Sequence, residues 1–184
     1  MLEVRALEIE GLLEICPKRF DDERGFFSET WGEAAFRAAG IDLRFVQDNH
    51  SLSRQAGVLR GLHFQSPPFA QDKLVRVSRG AVFDVAVDIR PGSPTYRQWA
   101  GVRLSAAEWN QLLVPKGFAH GFLALEPDSE VQYKVTAPYS REHDRAIRFD
   151  DPAIGIEWPL AGEALILSDK DRAAPLLADI DTGF

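Results

Sequence analysis

Two histidines stand where strand-like segments meet strong charges. His120 lies in Pro115-Lys116-Gly117-Phe118-Ala119-His120-Gly121-Phe122, a Pro-x-Gly-x-x-His turn leading into an apolar strand. Pro and Gly fix a tight approach there, and the His follows where its side chain can turn inward. His63 lies upstream in Val58-Leu59-Arg60-Gly61-Leu62-His63-Phe64. An imidazole titrates near neutral pH, so a histidine held beside a charge on a strand suits proton transfer in an enclosed pocket. The plainer use of either residue is a solvated or internally satisfied histidine. The residues around them favour the pocket.

Strand parity shows which side chains can meet them. In Lys73-Leu74-Val75-Arg76-Val77, Lys73 shares a face with Val75 and Val77, an apolar face on which an ammonium is costly without a partner or an anionic ligand. A lysine at a strand end reaching into water is the ordinary alternative. Tyr133 shares a face with Val131 and Val135 and so points inward, where its hydroxyl needs a partner. Asp84 alternates against Phe83, Val85 and Val87, so it either faces solvent or lines a polar cavity; parity does not decide. Arg60 and His63 have opposite parity. A bulge at Gly61 would bring both to one pocket, as would service of a neighbouring subunit by one of them.

The elements that must position these groups read as strands over Gly25–Trp31, Phe45–Ser51, Val58–Phe64, Lys73–Arg79, Ala81–Asp88, Gln98–Leu104, Gln111–Val114, Gly121–Leu125 and Glu130–Thr136. Arg79-Gly80 reads as a hairpin turn and Pro91-Gly92-Ser93-Pro94 as a longer loop. Glu33–Ala39, stopped by Gly40, reads as one short helix, and Ser105-Ala106-Ala107-Glu108 as a capped helical turn. Many short antiparallel strands with little helix predict an all-β sandwich, jelly roll or barrel, a class that holds ligands in its mouth.

The 184 residues, without linker, repeat or low-complexity segment, predict a single domain over 1–184. A net charge of −7 argues against affinity built on neutralising a nucleic-acid backbone. A small anion needs only a local cluster, for which Arg24, Arg60, Lys73, Arg76 and Lys170 are candidates; scattered solvated charges are the plainer reading of each. The lone Cys16 precludes an internal disulfide, the opening Met1–Glu8 is too acidic for a signal peptide, and no apolar run is long enough to span a bilayer. The expectation is a cytoplasmic protein with no membrane partner. A β-barrel metal site of the cupin kind would want His-x-His, but Gln65 stands where the second His should be, and His50 and His143 lie outside both motifs. Ser51, Ser53 and Ser66 sit in no nucleophile elbow, and there is no phosphate-cradling glycine loop.

Over Phe20 through Pro175 the chain resembles the dTDP-4-dehydrorhamnose 3,5-epimerases. The resemblance rests on Asp22-Glu23-Arg24-Gly25-Phe26-Phe27, Phe45-Val46-Gln47-Asp48-Asn49-His50-Ser51 and Val58 through Gln65. It continues in Lys73 to Val77, Val82 to Arg90, Pro115 to Phe122, Ile154 to Pro159 and Leu167-Ser168-Asp169-Lys170-Asp171. It implies a cupin-type jelly-roll β-barrel with antiparallel sheets and a few short helices. It further implies a homodimer without metal or cofactor that acts on a nucleotide-linked sugar. The ketone of a dTDP-linked 4-keto-6-deoxy sugar acidifies the hydrogens on C3 and C5, so a base, an acid on the other face and an enolate stabiliser suffice. The resemblance assigns these roles to His63 supported by Asp171, to Tyr133 and to Lys73. It assigns substrate binding to Arg24, Glu29, Gln47, Asn49, Arg60, His120 and Lys170, with Asp84 supporting His120 and some of these residues crossing from a partner subunit. Ala137-Pro138-Tyr139 and Asp144 depart from the family's usual Asn-Tyr-Tyr and Glu, which bears on the nucleobase end of the pocket. The alternatives are a relative that inverts one carbon only or takes another nucleotide-linked keto sugar, and a catalytically silent sugar-binding cupin.

Overall fold

β-Branched and aromatic residues dominate the short runs, and Gly, Pro, Asn or Asp interrupts them before a helix could lengthen. The computed structural model describes residues 2–160 and 165–184. Its strands are β1 (Glu3–Ala6), β2 (Leu13–Cys16), β3 (Arg19–Asp22), β4 (Gly25–Ser28), β5 (Gln47–Ser53), β6 (Leu59–Gln65), β7 (Lys73–Arg79), β8 (Ala81–Asp88), β9 (Trp99–Ser105), β10 (Gln111–Val114), β11 (Phe118–Ala124), β12 (Ser129–Val135) and β13 (Asp144–Ala146). Helices are α1 (Glu33–Ala38), α2 (Asp169–Arg172) and a 3-10 turn over Leu177–Asp179. Six strands form one sheet in the order β1-β2-β10-β7-β12-β5, and five form a second in the order β13-β6-β11-β8-β9. β3 and β4 stand apart as a hairpin. All these ladders are antiparallel, in the two-sheet jelly-roll manner.

β7, β8 and β10 keep the expected bounds. β11 starts at Phe118 rather than Gly121, so His120 lies inside a strand and not in the turn before it. The expected strand Gly25–Trp31 stops at Ser28. Ser105-Ala106-Ala107-Glu108 is no helix: Ser105 ends β9 and its Oγ accepts the Glu108 N–H at 3.0 Å, but Trp109 turns to φ 60° and ends the turn. β1, β2, β3 and β13 were not expected. β1 and β3 are exposed along their length, and β13 is only half-buried, so none carries an apolar–polar alternation.

The five-stranded sheet is packed on both faces around β8, and the six-stranded sheet around β2, β7 and β10, while β1 and the outer face of β5 stay exposed. Val75, Val77, Val82, Ala86, Leu112 and Val131 meet between the sheets. Val85, Val87 and Ile147 lie on the outer face of the five-stranded sheet under the C-terminal segment, with Ile154 and Leu177. Phe36 of α1 covers Ile15, Leu74 and Leu113 on the outer face of the six-stranded sheet. Double coverage explains why β8 reads as an almost continuous apolar run. It also settles Asp84, which shares the inward parity of Val82 and Ala86 and is fully buried.

A bulge resolves the Arg60–His63 conflict. His63 pairs with His120 and Arg60 with Phe122, three steps along β6 against two along β11. The extra residue lies at Gly61–Leu62. Gly61 has φ 139°, and a Cβ there would stand 2.6 Å from the Gly121 Cα. Gly61→Ala should therefore destabilise the fold by about 2–4 kcal/mol in urea denaturation, because both the dihedral and the close approach exclude a side chain. An Ala variant as stable as the parent would show that the bulge relaxes freely.

Candidate active site

The jelly roll leaves a cleft of about 550 Å³ between its sheets. His63 (β6) and His120 (β11) line it from the five-stranded sheet, Lys73 (β7) and Tyr133 (β12) from the six-stranded one. α2 closes one side with Lys170 and Asp171.

His63 Nε2 donates to Asp171 Oδ1 at 2.5 Å, which leaves Nδ1 as the free lone pair. Burial alone would push the Asp171 carboxyl up. The hydrogen bond and charge of His63, the Ser168 hydroxyl and Lys170 together hold it below its ordinary value, so it stays ionised. Lys73 Nζ donates to the His63 carbonyl at 3.2 Å. Burial pushes that ammonium down from 10.5 to about 8, and Asp84 and Asp144 pull part of it back. Burial also raises the Tyr133 phenol; Arg60 opposes this and Asp144 adds to it, so the phenol keeps its proton at neutral pH. His120 Nε2 donates to Asp84 Oδ1 at 2.8 Å, deep in the structure. The other Asp84 oxygen has no hydrogen-bond partner among the described residues. This geometry can remove a proton from one side of a substrate, return one from the other, and hold a developing anion beside a cation.

The mouth is polar. Gln47 Nε2 donates to Asn49 Oδ1 at 2.8 Å, Arg60 Nη2 to the Leu52 carbonyl at 3.1 Å, and Lys170 Nζ to Asp144 Oδ2 at 2.6 Å. Tyr139, more than half exposed, lies beside them with its hydroxyl 3.3 Å from the same Asp144 oxygen. Three of the five cations that the sequence offered as an anion cluster, Arg60, Lys73 and Lys170, line the cleft together. Arg76 does not join them: on the outer parity of β7, it bonds Gln132. Among the described residues no three His, Cys, Asp or Glu side chains gather as a metal site. Gln65 spends its amide on the Phe69 and Pro138 carbonyls and the Ser140 N–H.

The family profile for dTDP-4-dehydrorhamnose 3,5-epimerase matches residues 6–179. The chain belongs to the dTDP-4-dehydrorhamnose 3,5-epimerase family. It is 53% identical over 180 residues to the enzyme of that name from Sinorhizobium fredii, covering 98% of this chain and 92% of the relative. Against the Escherichia coli enzyme of that name it is 53% identical over 172 residues, 93% of this chain and 92% of the other. A crystal structure of a dTDP-6-deoxy-D-glucose-3,5-epimerase from Legionella pneumophila, in complex with dTDP-4-keto-L-rhamnose, superposes with a TM-score of 0.94. That chain is 49% identical, with 98% of this chain and 95% of it covered.

Two residues that the family resemblance assigns to the substrate stand away from this cleft. Arg24 sits at the tip of the β3–β4 hairpin, its side chain 84% exposed and paired with Asp22. Glu29 follows β4 on the surface. Residue-by-residue reading missed Ser168 as part of the site. Its signal was present: Ser168-x-x-Asp171 is a helix-start pattern, and the Ser168 hydroxyl bonds the carboxylate that holds His63.

Proposed function

We propose that this epimerase inverts C3 and C5 of dTDP-4-dehydro-6-deoxy-D-glucose to give dTDP-4-dehydro-L-rhamnose. The observation that carries the reading is the pairing of an aspartate-held imidazole on one sheet with a half-buried phenol on the other. His63 Nδ1 takes the hydrogen from the carbon beside the ketone; the C–H electrons become the enolate double bond and the carbonyl electrons move to oxygen. Lys73 stabilises that oxygen, whose charge develops on the way to the enolate. Tyr133 returns a proton to the opposite face, and exchange with solvent resets both groups. Asp171 stabilises the imidazolium, as an ionised carboxylate beside a charged imidazole does. His120, fixed by Asp84, faces the sugar. Arg60, Lys170, Gln47 and Asn49 bind the diphosphate and nucleoside, Arg through its planar fork. The test is a coupled assay with the 4-keto substrate and a downstream reductase, with NMR of the product's configuration. Inversion at one carbon only would overturn the reading in favour of a single-carbon epimerase.

The reading needs no metal or cofactor: the ketone itself supplies the acidity. Chelation and dialysis should leave the rate unchanged; activity lost on chelation and restored by a metal would overturn this.

The working unit we propose is a homodimer in which the β3–β4 hairpin carries Arg24 and Glu29 into the partner's cleft. Supporting this, the hairpin exposes Phe20, Phe26 and Phe27, the last 70% open to water, more apolar surface than a lone arm tolerates well. Light scattering should report twice the 20.5 kDa chain mass. A fully active monomer would refute the shared site. The proposed location is the cytoplasm, since a nucleoside diphosphate sugar does not cross membranes unaided; no helix among the described residues is long and apolar enough to span one.

A further inference from the structure

We infer that Ser168 is a positioning residue of the epimerisation, locking the carboxylate that orients the base. The inference rests on the reading of His63 as that base. Ser168 is the N-cap of α2, in extended conformation, and its Oγ makes two bonds to one residue. It accepts the Asp171 N–H at 3.1 Å and donates its own proton to Asp171 Oδ2 at 2.9 Å. The direction of both bonds is fixed, because a backbone N–H can only donate and an ionised carboxylate can only accept. Asp171 Oδ1 is taken by His63 Nε2 at 2.5 Å. The carboxylate is therefore held at both oxygens, and its plane cannot turn without breaking one bond.

Helix capping alone requires only the first of these bonds. The second is surplus to the cap and acts on the imidazole through Asp171. Its anchorage fits that use. Ile166, two residues before Ser168, exchanges backbone hydrogen bonds with the approach to β6, through Ile166 N–H to the Gly57 carbonyl at 2.8 Å and Leu59 N–H to the Ile166 carbonyl at 2.9 Å. His63 rides on β6 itself. Base, carboxylate and serine are thus all referenced to one strand. Asp171 is buried, so losing the serine hydroxyl would leave one carboxylate oxygen unsatisfied in a dry place and free to turn.

The test compares Ser168→Ala, Ser168→Gly and Ser168→Thr in the full-length enzyme. Ala removes both bonds. Gly removes both as well, but glycine starts a helix at little cost, so it separates the cap from the hydroxyl. Thr keeps the hydroxyl. The expected result is a fall in kcat on the order of 10-fold in both Ala and Gly with KM unchanged, the scale of a misplaced catalytic group, and recovery in Thr. The acid limb of kcat/KM should move in Ala and Gly and return in Thr, because the carboxylate that faces the base loses a hydrogen bond, an effect that loss of a helix cap alone would not produce. A kcat and acid limb unchanged in Ala would overturn the inference. So would losses that track thermal stability, with Gly restoring activity that Ala lacks, since that is the behaviour of a cap alone. His63→Asn run alongside separates the two failures: if it is dead while Ser168→Ala is fully active, only the serine role falls. If His63→Asn retains activity, the base reading falls and takes the serine role with it.

Discussion

Replacing His63 by Asn should abolish turnover together with the exchange of substrate hydrogen for solvent deuterium at C3 and C5. Asn fills much of the same space but has no nitrogen that can accept a proton. It also leaves Asp171 buried without the cation it would stabilise. A general base contributes about 10²–10⁴-fold, and more where no second base is in reach. His120 is the poorer substitute, since its side chain is only 6% exposed against 33% for His63. Tyr133→Phe should behave differently. Tyr133 belongs to β12 in the other sheet, so with His63 intact the enolate still forms and recaptures deuterium on the face it came from. That variant should wash in deuterium faster than it delivers inverted product, read by proton NMR as loss of the H3 and H5 signals without change of configuration. If Tyr133→Phe lost exchange as completely as His63→Asn, the two residues would not divide the work between faces, and Tyr133 would belong with the binding residues.

Which parts of this site the sequence disclosed follows from the range of the forces involved. The inward direction of Lys73 and Tyr133, though not their use, was legible from parity, because Val75, Val77, Val131 and Val135 mark the inward face of β7 and β12 on residues two and four positions away. That of Asp84 was not, because β8 is buried on both faces and alternation then carries no direction. The Arg60–His63 conflict pointed to a bulge at Gly61, but its cause is the close approach of Gly121, some sixty positions along the chain. The His63–Asp171 contact spans 108 positions, and no local pattern reports it; only the family resemblance did. Arg24 and Glu29 mark the other limit. Arg24 stands just before the expected strand Gly25–Trp31 and Glu29 within it, but whether either serves a cleft of its own chain or a partner's is a property of assembly that no local pattern carries. The exposed strands β1 and β3 escaped for a simpler reason: with no face buried there is no alternation to read.

Lys73→Met should split activity from stability. The ammonium lies on an apolar face with one hydrogen bond among the described residues, to the His63 carbonyl. Burial lowers it from 10.5 to about 8 despite Asp84 and Asp144. At about 1.36 kcal/mol per pH unit, holding that charge in the folded state at neutral pH costs about 3 kcal/mol. A chain that keeps such a group gains from it elsewhere, and the developing enolate oxygen is where a fixed cation is worth most. The variant should therefore lose on the order of 10²–10³ in kcat, the scale of one lost oxyanion donor, and suppress deuterium exchange with it. In urea denaturation at pH 7 and fixed protein concentration it should be more stable than the parent by about 1–3 kcal/mol, since an apolar side chain of similar length replaces a poorly solvated charge. The sign of the pH dependence follows from the lowered value. Between about 8 and 10.5 the unfolded chain binds more protons than the folded one, so the parent gains stability relative to the variant as pH rises. The advantage of Met is full below pH 8 and gone near 10.5. Over the same range the parent's kcat/KM should fall above about pH 8 as Lys73 loses its proton, with the kcat limb displaced higher because the bound diphosphate favours the ammonium. A Met variant that exchanged hydrogen as fast as the parent would remove Lys73 from the enolate. One that merely unfolded would make the lysine a structural clamp, its burial held in place by Asp84 and Asp144 rather than by the chemistry of the cleft.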